Sequence, residues 1–204
     1  MYLTKLELPL ASRQAADALA NVQTMHRLVS SLFGASRESA QLLYRVRVLR
    51  GTVQIYLYSA IPHQSLPAGV QLAGQRDLSD WLGAMQPGVT WKFDLLTMPS
   101  KKVYQAEADR NSQRRVLRSP SERMDWLHRK AEQNGFVLLQ AEELEQSHSR
   151  GTHSKEKGGL MVWDAYHYQG MLQVADADLF RRAIAAGIGP GKAYGLGMLL
   201  VKQP

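Results

Sequence analysis

No cysteine occurs among the 204 residues. Disulfide scaffolds, thiolate zinc sites, iron–sulfur clusters and cysteine nucleophiles are thereby excluded together. Long apolar runs are also missing, and none approaches the roughly 20 residues that a membrane-spanning helix needs. The opening Met1-Tyr2-Leu3-Thr4-Lys5-Leu6-Glu7-Leu8 alternates apolar and polar residues from its second position, which predicts a half-buried strand and not the apolar centre of a signal peptide. A cytoplasmic protein without membrane attachment is expected. Acid is the scarcer charge, with 18 Asp+Glu against 25 Lys+Arg, a net +7. That excess favours a polyanionic partner, either nucleic acid or an anionic membrane surface.

What is present is ordinary for a folded globular chain: 45% hydrophobic and 21% charged residues. One or two compact units of about 100 residues fit this length. After the first strand, Val22, Met25, Val29, Leu32 and Phe33 gather on one side of a helix over Asn21 to Phe33, which Gly34 stops. Strands at Leu42 to Val48 and Val53 to Ser59 flank Gly51, a hairpin pattern. A helix at Leu78 to Met85 and a strand at Val89 to Thr97 would complete a β-α-β-β-α-β unit. The second half repeats this logic. Ser119-Pro120-Ser121-Glu122 predicts a capped helix from Pro120 to about Gln133, with Glu122 reaching back to the cap, and a strand follows at Phe136 to Gln140. Gln146 to Gly159 holds no aliphatic or aromatic residue, so an exposed, mobile loop or hairpin tip is expected. Leu160 to Tyr168 and Met171 to Val174 read as a hairpin across Gln169-Gly170. Asp176 caps a helix with Leu179, Phe180, Ala183 and Ile184 inward, and Met198 to Lys202 is the last strand. The fold class is α+β, two similar halves joined near Pro99, at residues 1–98 and 99–204.

Four groups of residues carry possible chemistry. Gly187-Ile188-Gly189-Pro190-Gly191-Lys192-Ala193-Tyr194-Gly195-Leu196-Gly197 suits a phosphate cradle, and equally a glycine-rich connection under packing constraint. It is not a Walker loop, because Ala193 stands where the Mg²⁺-binding Ser/Thr belongs. His26 borders the apolar stripe of its helix, which fits an edge-of-core histidine and also a metal-free proton carrier near neutral pH. Residues 101 to 130 contain nine Lys/Arg and four acids, which is +5 of the chain's +7. Arg114, Arg115 and Arg118 are placed on a loop there, where guanidinium forks grip phosphates; a solvated charged surface is the plainer reading. In the polar loop, His148 and His153 lack a third histidine or a carboxylate nearby, so no metal and no cofactor is expected, and with Arg150, Lys155 and Lys157 the loop fits RNA contact better.

Several stretches resemble the CasE endoribonucleases of CRISPR systems, which cut the repeat RNA precursor within the Cascade complex. The resemblance runs from Met1-Tyr2-Leu3-Thr4-Lys5 to the last strand. Its marks are Met25-His26-Arg27, Trp126-Leu127-His128-Arg129-Lys130, and Gly187 to Lys192 continued by Gly195-Leu196-Gly197. It implies two tandem ferredoxin-like (RRM-like) domains, metal-independent cleavage on the 3′ side of the repeat hairpin, retention of the product and, outside Cascade, a monomer. His26 falls on the family's catalytic histidine, and the polar loop falls on its basic hairpin, with an arginine at or near Arg150. Arg27 and Arg150 are then candidates to offset transition-state charge. Lys101, Lys102, Arg114, Arg115, Arg118, His148, Lys155, Gly189, Gly191, Lys192 and Gly195 are the expected RNA contacts. Two departures stand out: Gln23 occupies the place of a family tyrosine, and Asp94 and Leu96 occupy the places of two arginines. A non-cleaving repeat-RNA binding subunit is the alternative that Gln23 keeps open.

Overall fold

A computed structural model describes residues 1–103, 113–152 and 160–204. Strand β1 (Tyr2–Pro9) buries Thr4, Leu6 and Leu8 on one face, as its alternation requires. Helix α1 (Arg13–Ala20) follows, and Ser12 Oγ caps it by accepting from the Ala15 amide at 3.2 Å. Only the small side chains Ala15 and Ala18 are buried along α1, so its apolar stripe is faint in sequence, and the sequence reading contains no such helix. Helix α2 (Val22–Ser30) starts where Asn21 Oδ1 accepts from the Gln23 amide at 2.9 Å. It ends at Ser30, short of the expected Phe33, yet Leu32 and Phe33 remain buried beneath it.

Strands β2 (Leu43–Leu49) and β3 (Thr52–Ser59) form the expected hairpin, and β4 (Gln71–Asp77) completes an antiparallel sheet of order β2-β3-β1-β4. Strand β4 is exposed along its whole length and Leu72 is its one large apolar residue, so no alternation betrays it; it pairs with β1 alone. Helix α3 (Ser79–Gly83) is a short connection.

Strand β5 (Thr90–Thr97) corrects one expectation: instead of closing the first unit it lies at the centre of the second sheet. Trp91, Leu95 and Thr97 sit opposite Leu172, Tyr168 and Tyr166, an apolar match that the polar edge of the first sheet does not offer. Strands β6 (Ser100–Val103) and β7 (Gln113–Val116) make a hairpin. Helix α4 (Pro120–Gln133), strands β8 (Phe136–Thr152) and β9 (Leu160–Val174), helix α5 (Ala177–Ala186), a 3-10 turn (Lys192–Tyr194) and β10 (Leu199–Lys202) complete the chain. The second sheet runs β10-β5-β9-β8. The expected limits 1–98 and 99–204 thus divide the chain one strand after the change of sheet.

Two local expectations also change, and a third resolves to one of its two forms. Gln169-Gly170 is no turn, because β9 runs straight through it; a Cβ on Gly170 would meet the Gln140 carbonyl oxygen at 2.0 Å, so glycine there permits close passage beside a bulge in β8. Of the loop or hairpin tip expected from Gln146, residues 146–152 take the hairpin form, since β8 carries them in register with β9 as far as Thr152 and Leu160. At Ser119 no side-chain cap forms: its hydroxyl pairs with that of Ser121, and Glu122 faces Lys101 at 3.4 Å.

The two halves are tandem ferredoxin-like domains, each a four-stranded sheet with helices on one face. Met25, Val29, Leu32 and Phe33 pack over Leu6, Leu8, Val53 and Ile55. Trp126, Leu127, Phe180 and Ile184 cover Trp91, Leu95, Tyr168 and Leu172. Leu43 and Tyr58 belong to that second cluster and knit the sheets together. Truncating Trp126 to alanine would cost about 3–5 kcal/mol. No helix among the described residues is long and apolar enough to cross a membrane.

Candidate active site and nucleic-acid interface

The glycine-rich stretch folds as a connection pinned at both ends. Ile188 donates its amide to the Gly197 carbonyl at 2.8 Å, and Gly197 donates to the Leu96 carbonyl of β5 at 2.7 Å. Thr97 Oγ1 donates to the Ile188 carbonyl at 2.9 Å. Gly189 lies so close beneath this clasp, with φ +87°, that a Cβ would come within 2.4 Å of the same Thr97 oxygen. The amides of Gly187, Ile188, Tyr194, Leu196 and Gly197 are therefore spent on the chain's own carbonyls.

Beyond Gly191 the chain makes the turn Lys192–Tyr194, which packs against both α2 and β2. His26 thereby meets this turn. Its ring stands 6.3 Å from that of Tyr194, centroid to centroid, at 67°. Both residues are half-buried, with a side open to solvent. Burial, followed by the charge of Arg37, holds the imidazole below its ordinary pKa, while Glu38 and the Ala193 backbone oppose that shift. That shift favours the neutral form of His26. Arg37 is the residue that sequence reasoning missed: it lies in the turns between α2 and β2, outside any motif, and only the fold brings it to His26.

Lys192 shares this setting. Burial first, then Arg37 and Lys130, lower its ammonium pKa, and burial with Arg129 and Arg114 does the same for Lys130. These cations surround a cavity of 440 Å³, lined by Lys102, Arg114, Lys130, Lys192, Ser100 and the backbone of Gly187–Pro190. No acidic residue lines it. Mutual repulsion among desolvated cations would be relieved by an anion.

The other expected residues divide into those the fold brings here and those it does not. Gly189 borders the cavity, and Gly191 and Gly195 flank the turn in the left-handed conformation. Arg114 and Arg115 stand on β7 opposite Lys102 and Lys101, so they belong to a strand and not to the expected loop; Arg118 follows in irregular chain. Lys101 is held by its ion pair to Glu122. Arg27 is exposed and folds back on its own helix, donating to the Gln23 carbonyl and to Thr24 Oγ1, both at 3.4 Å. Gln23 is half-buried. His148 and Arg150 stand on β8 opposite Asp164 and Val162. From Ser147 to Thr152, β8 runs with β9 past the end of β5, forming a two-stranded ribbon beyond the four-stranded sheet. Lys155, with His153 and Lys157, lies outside the described residues. Among the described residues no group of three or more His, Asp or Glu is arranged to hold a metal ion.

A sequence model of the family described as CRISPR associated protein matches residues 1–203. The chain is 31% identical to the CRISPR-associated endoribonuclease Cse3 of Thermus thermophilus, over 98% of this chain and 99% of that protein. Among solved structures, CRISPR endoribonuclease Cse3 bound to a 19-nucleotide RNA superposes with a TM-score of 0.86 at 30% identity, covering 99% of this chain and 100% of that one. Thermus thermophilus Cse3 bound to an RNA representing a pre-cleavage complex gives 0.83, also at 30% identity, with 98% of each chain covered. With the family model spanning the chain and a relative at 31% identity over nearly all of it, the chain belongs to the CRISPR-associated protein family, among its CasE (Cse3) members.

Proposed function

We propose that this protein is an endoribonuclease that cuts CRISPR repeat precursor RNA on the 3′ side of the repeat hairpin and keeps the product. The observation that carries this reading is the meeting of a partly desolvated imidazole at His26 with a cationic wall formed by Arg37, Lys192 and the cavity beside them. RNA brings its own nucleophile, so no cysteine and no metal is required of the chain. In the proposed reaction His26 takes the proton of the 2′-hydroxyl, the 2′-oxygen bonds to phosphorus, and the bond to the 5′-oxygen breaks as that oxygen gains a proton. The products are a 2′,3′-cyclic phosphate and a 5′-hydroxyl.

Lys192 and Arg37 are positioned to offset charge on the phosphorane-like transition state. Arg27 and Arg150 take the same role in this reading only if RNA draws Arg27 away from its helix and the ribbon brings Arg150 to the hairpin. The ribbon of β8 and β9, the β6–β7 hairpin and the cationic cavity supply the backbone grip, through Lys101, Lys102, Arg114, Arg115, Arg118, His148 and Lys155. A partner complex of CRISPR subunits holding the processed RNA, a monomeric state outside it and a cytoplasmic location complete the proposal.

One experiment separates cleavage from binding. Purified protein is incubated with repeat RNA in excess chelator, beside the same RNA carrying a 2′-deoxyribose at the scissile position. Cleavage of the first alone is expected. If both RNAs stay intact while bound, the protein is a non-cleaving repeat-RNA subunit; if the deoxy substrate is cut, the 2′-hydroxyl is not the nucleophile.

A further inference from the structure

Where the second sheet narrows to the two-stranded ribbon, one guanidinium holds the root. Strand β5 makes its last pair between Thr97 and Tyr166, and Gln146 of β8 faces the same Tyr166 from the other side. Just before this point, between Glu143 and Glu145, β8 shifts register against β9, a bulge of the kind that bends a strand and sets where it heads next. Arg123, in the first turn of α4 and only 6% exposed, reaches that bulge. Its Nε donates to Glu143 Oε2 at 2.8 Å and its Nη2 to Glu143 Oε1, a two-pronged pair. Its Nη1 donates to the Arg118 carbonyl, and its guanidinium carbon lies 3.9 Å over the centre of the Tyr166 ring. The Tyr168 hydroxyl donates to Glu143 Oε2 as well, at 2.9 Å.

We propose that Arg123 is a positioning residue for RNA recognition: clamped on Glu143 and Tyr166, it fixes the angle at which the ribbon of β8 and β9 meets the repeat hairpin. This inference rests on the RNA-gripping role given to the ribbon above. Arg123 does not line the cationic cavity, and its three nitrogens are all engaged inside the protein, so it acts through the ribbon and not by touching RNA. The same guanidinium also holds the chain at Arg118, an exposed residue among the expected phosphate contacts.

Leverage makes the clamp matter. Two strands alone are a weak support, and the ribbon has no third strand beyond Tyr166. From Ser147 to Thr152 it extends about 20 Å at ~3.3 Å per residue, so a tilt of roughly 10° at the root moves its far end by about 3 Å. A displacement of that size breaks a hydrogen bond. Lysine in place of Arg123 keeps the charge but has neither the planar fork for Glu143 nor the flat face for Tyr166.

The test uses the full chain with Arg123→Lys and two RNAs, the repeat hairpin and an unpaired RNA of equal length. Affinity for the hairpin is expected to fall about 10-fold, the loss of a hydrogen bond to a charged group, while affinity for the unpaired RNA stays as in wild type. Single-turnover cleavage at saturating hairpin should keep its rate. Glu143→Gln, which keeps the shape of the pair and weakens its charge, is expected to give the same split and serves where Arg123→Lys does not fold. In a chain with residues 148–163 replaced by a Gly-Ser turn, Arg123→Lys should cost nothing further in hairpin affinity. Unchanged hairpin affinity in the full chain overturns the proposal. So does an equal loss for both RNAs, which is what general destabilisation gives, and so does a loss that persists without the ribbon. If wild type does not prefer the hairpin, or the ribbonless chain binds it as tightly as wild type, the role given to the ribbon falls instead, and the inference with it.

Discussion

The Tyr44 hydroxyl donates to the Ala193 carbonyl at 3.0 Å, across 149 residues of chain. This bond ties the first sheet to the last turn of the second domain, so the placement of Lys192 and Tyr194 beside His26 depends on a residue in neither helix nor loop. Tyr44→Phe should cost about 1 kcal/mol of stability, read as a lowered denaturation midpoint. Cleavage of repeat RNA should slow while binding changes little, because the turn loses its brace without losing its charges. Unchanged cleavage would show that packing of Gly195 on the Tyr44 ring suffices.

Most helices and strands with strong periodicity were legible in the chain, and the reason is burial. Trp126, Leu127 and Ala131 recur at helical spacing over Pro120–Gln133, and Asp176 caps α5 through the amides of Asp178 and Leu179. What escaped was held by context. Strand β4 has no apolar face; α1 buries only alanines; β5 alternates well but carries nothing that names its partner sheet. The same holds at the site. His26 and the glycine-rich stretch are visible as motifs, whereas Arg37 and Tyr194 come beside His26 only because α2, β2 and the final turn converge.

Asp94, on β5, joins the two sheets electrostatically. Its Oδ2 lies 2.7 Å from Arg47 Nη2, 3.0 Å from His167 Nε2 and 2.9 Å from Gln169 Nε2, and its Oδ1 is 3.6 Å from Arg45. Burial alone would raise this carboxyl; Arg45 and the hydrogen bonds of His167 and Gln169 outweigh it and hold the pKa below 3.8. A carboxylate depressed on folding lends stability above its unfolded value, lost as pH falls through the folded one. Asp94→Asn should therefore destabilise the protein by about 3–5 kcal/mol at neutral pH, since Arg45 stays buried without its counter-charge. Below pH 4 the gap to wild type should narrow in denaturation measurements. A constant gap across pH would remove Asp94 as the source.

The pH dependence of cleavage should report His26. The base must be neutral, so the rate falls where the imidazole protonates, and the acid limb should lie below the ordinary histidine value of 6.5. Arg37→Gln removes a repelling charge and should move that limb to higher pH; Glu38→Gln removes an attracting one and should move it lower. Single-turnover rates across pH 5 to about 9 check both signs. Shifts in the same direction for the two variants would detach the limb from His26.

Lys102 and Lys130 test the cationic cavity apart from the chemistry, for neither belongs to the turn that meets His26. Both line a concavity that includes no acid, and Lys130 is already partly desolvated beside Arg114 and Arg129. An RNA phosphate entering there releases counterions and relieves this repulsion together. The double variant Lys102→Ala, Lys130→Ala should bind repeat RNA more weakly, and its log affinity against log salt should flatten by roughly one unit for each phosphate contact removed. Discrimination between the repeat hairpin and a scrambled stem should stay as in wild type, because phosphate contacts carry no sequence information. At saturating RNA the cleavage step should keep its rate. Unaltered salt dependence would mean that no phosphate occupies the cavity, and lost discrimination would make these lysines readers of the bases.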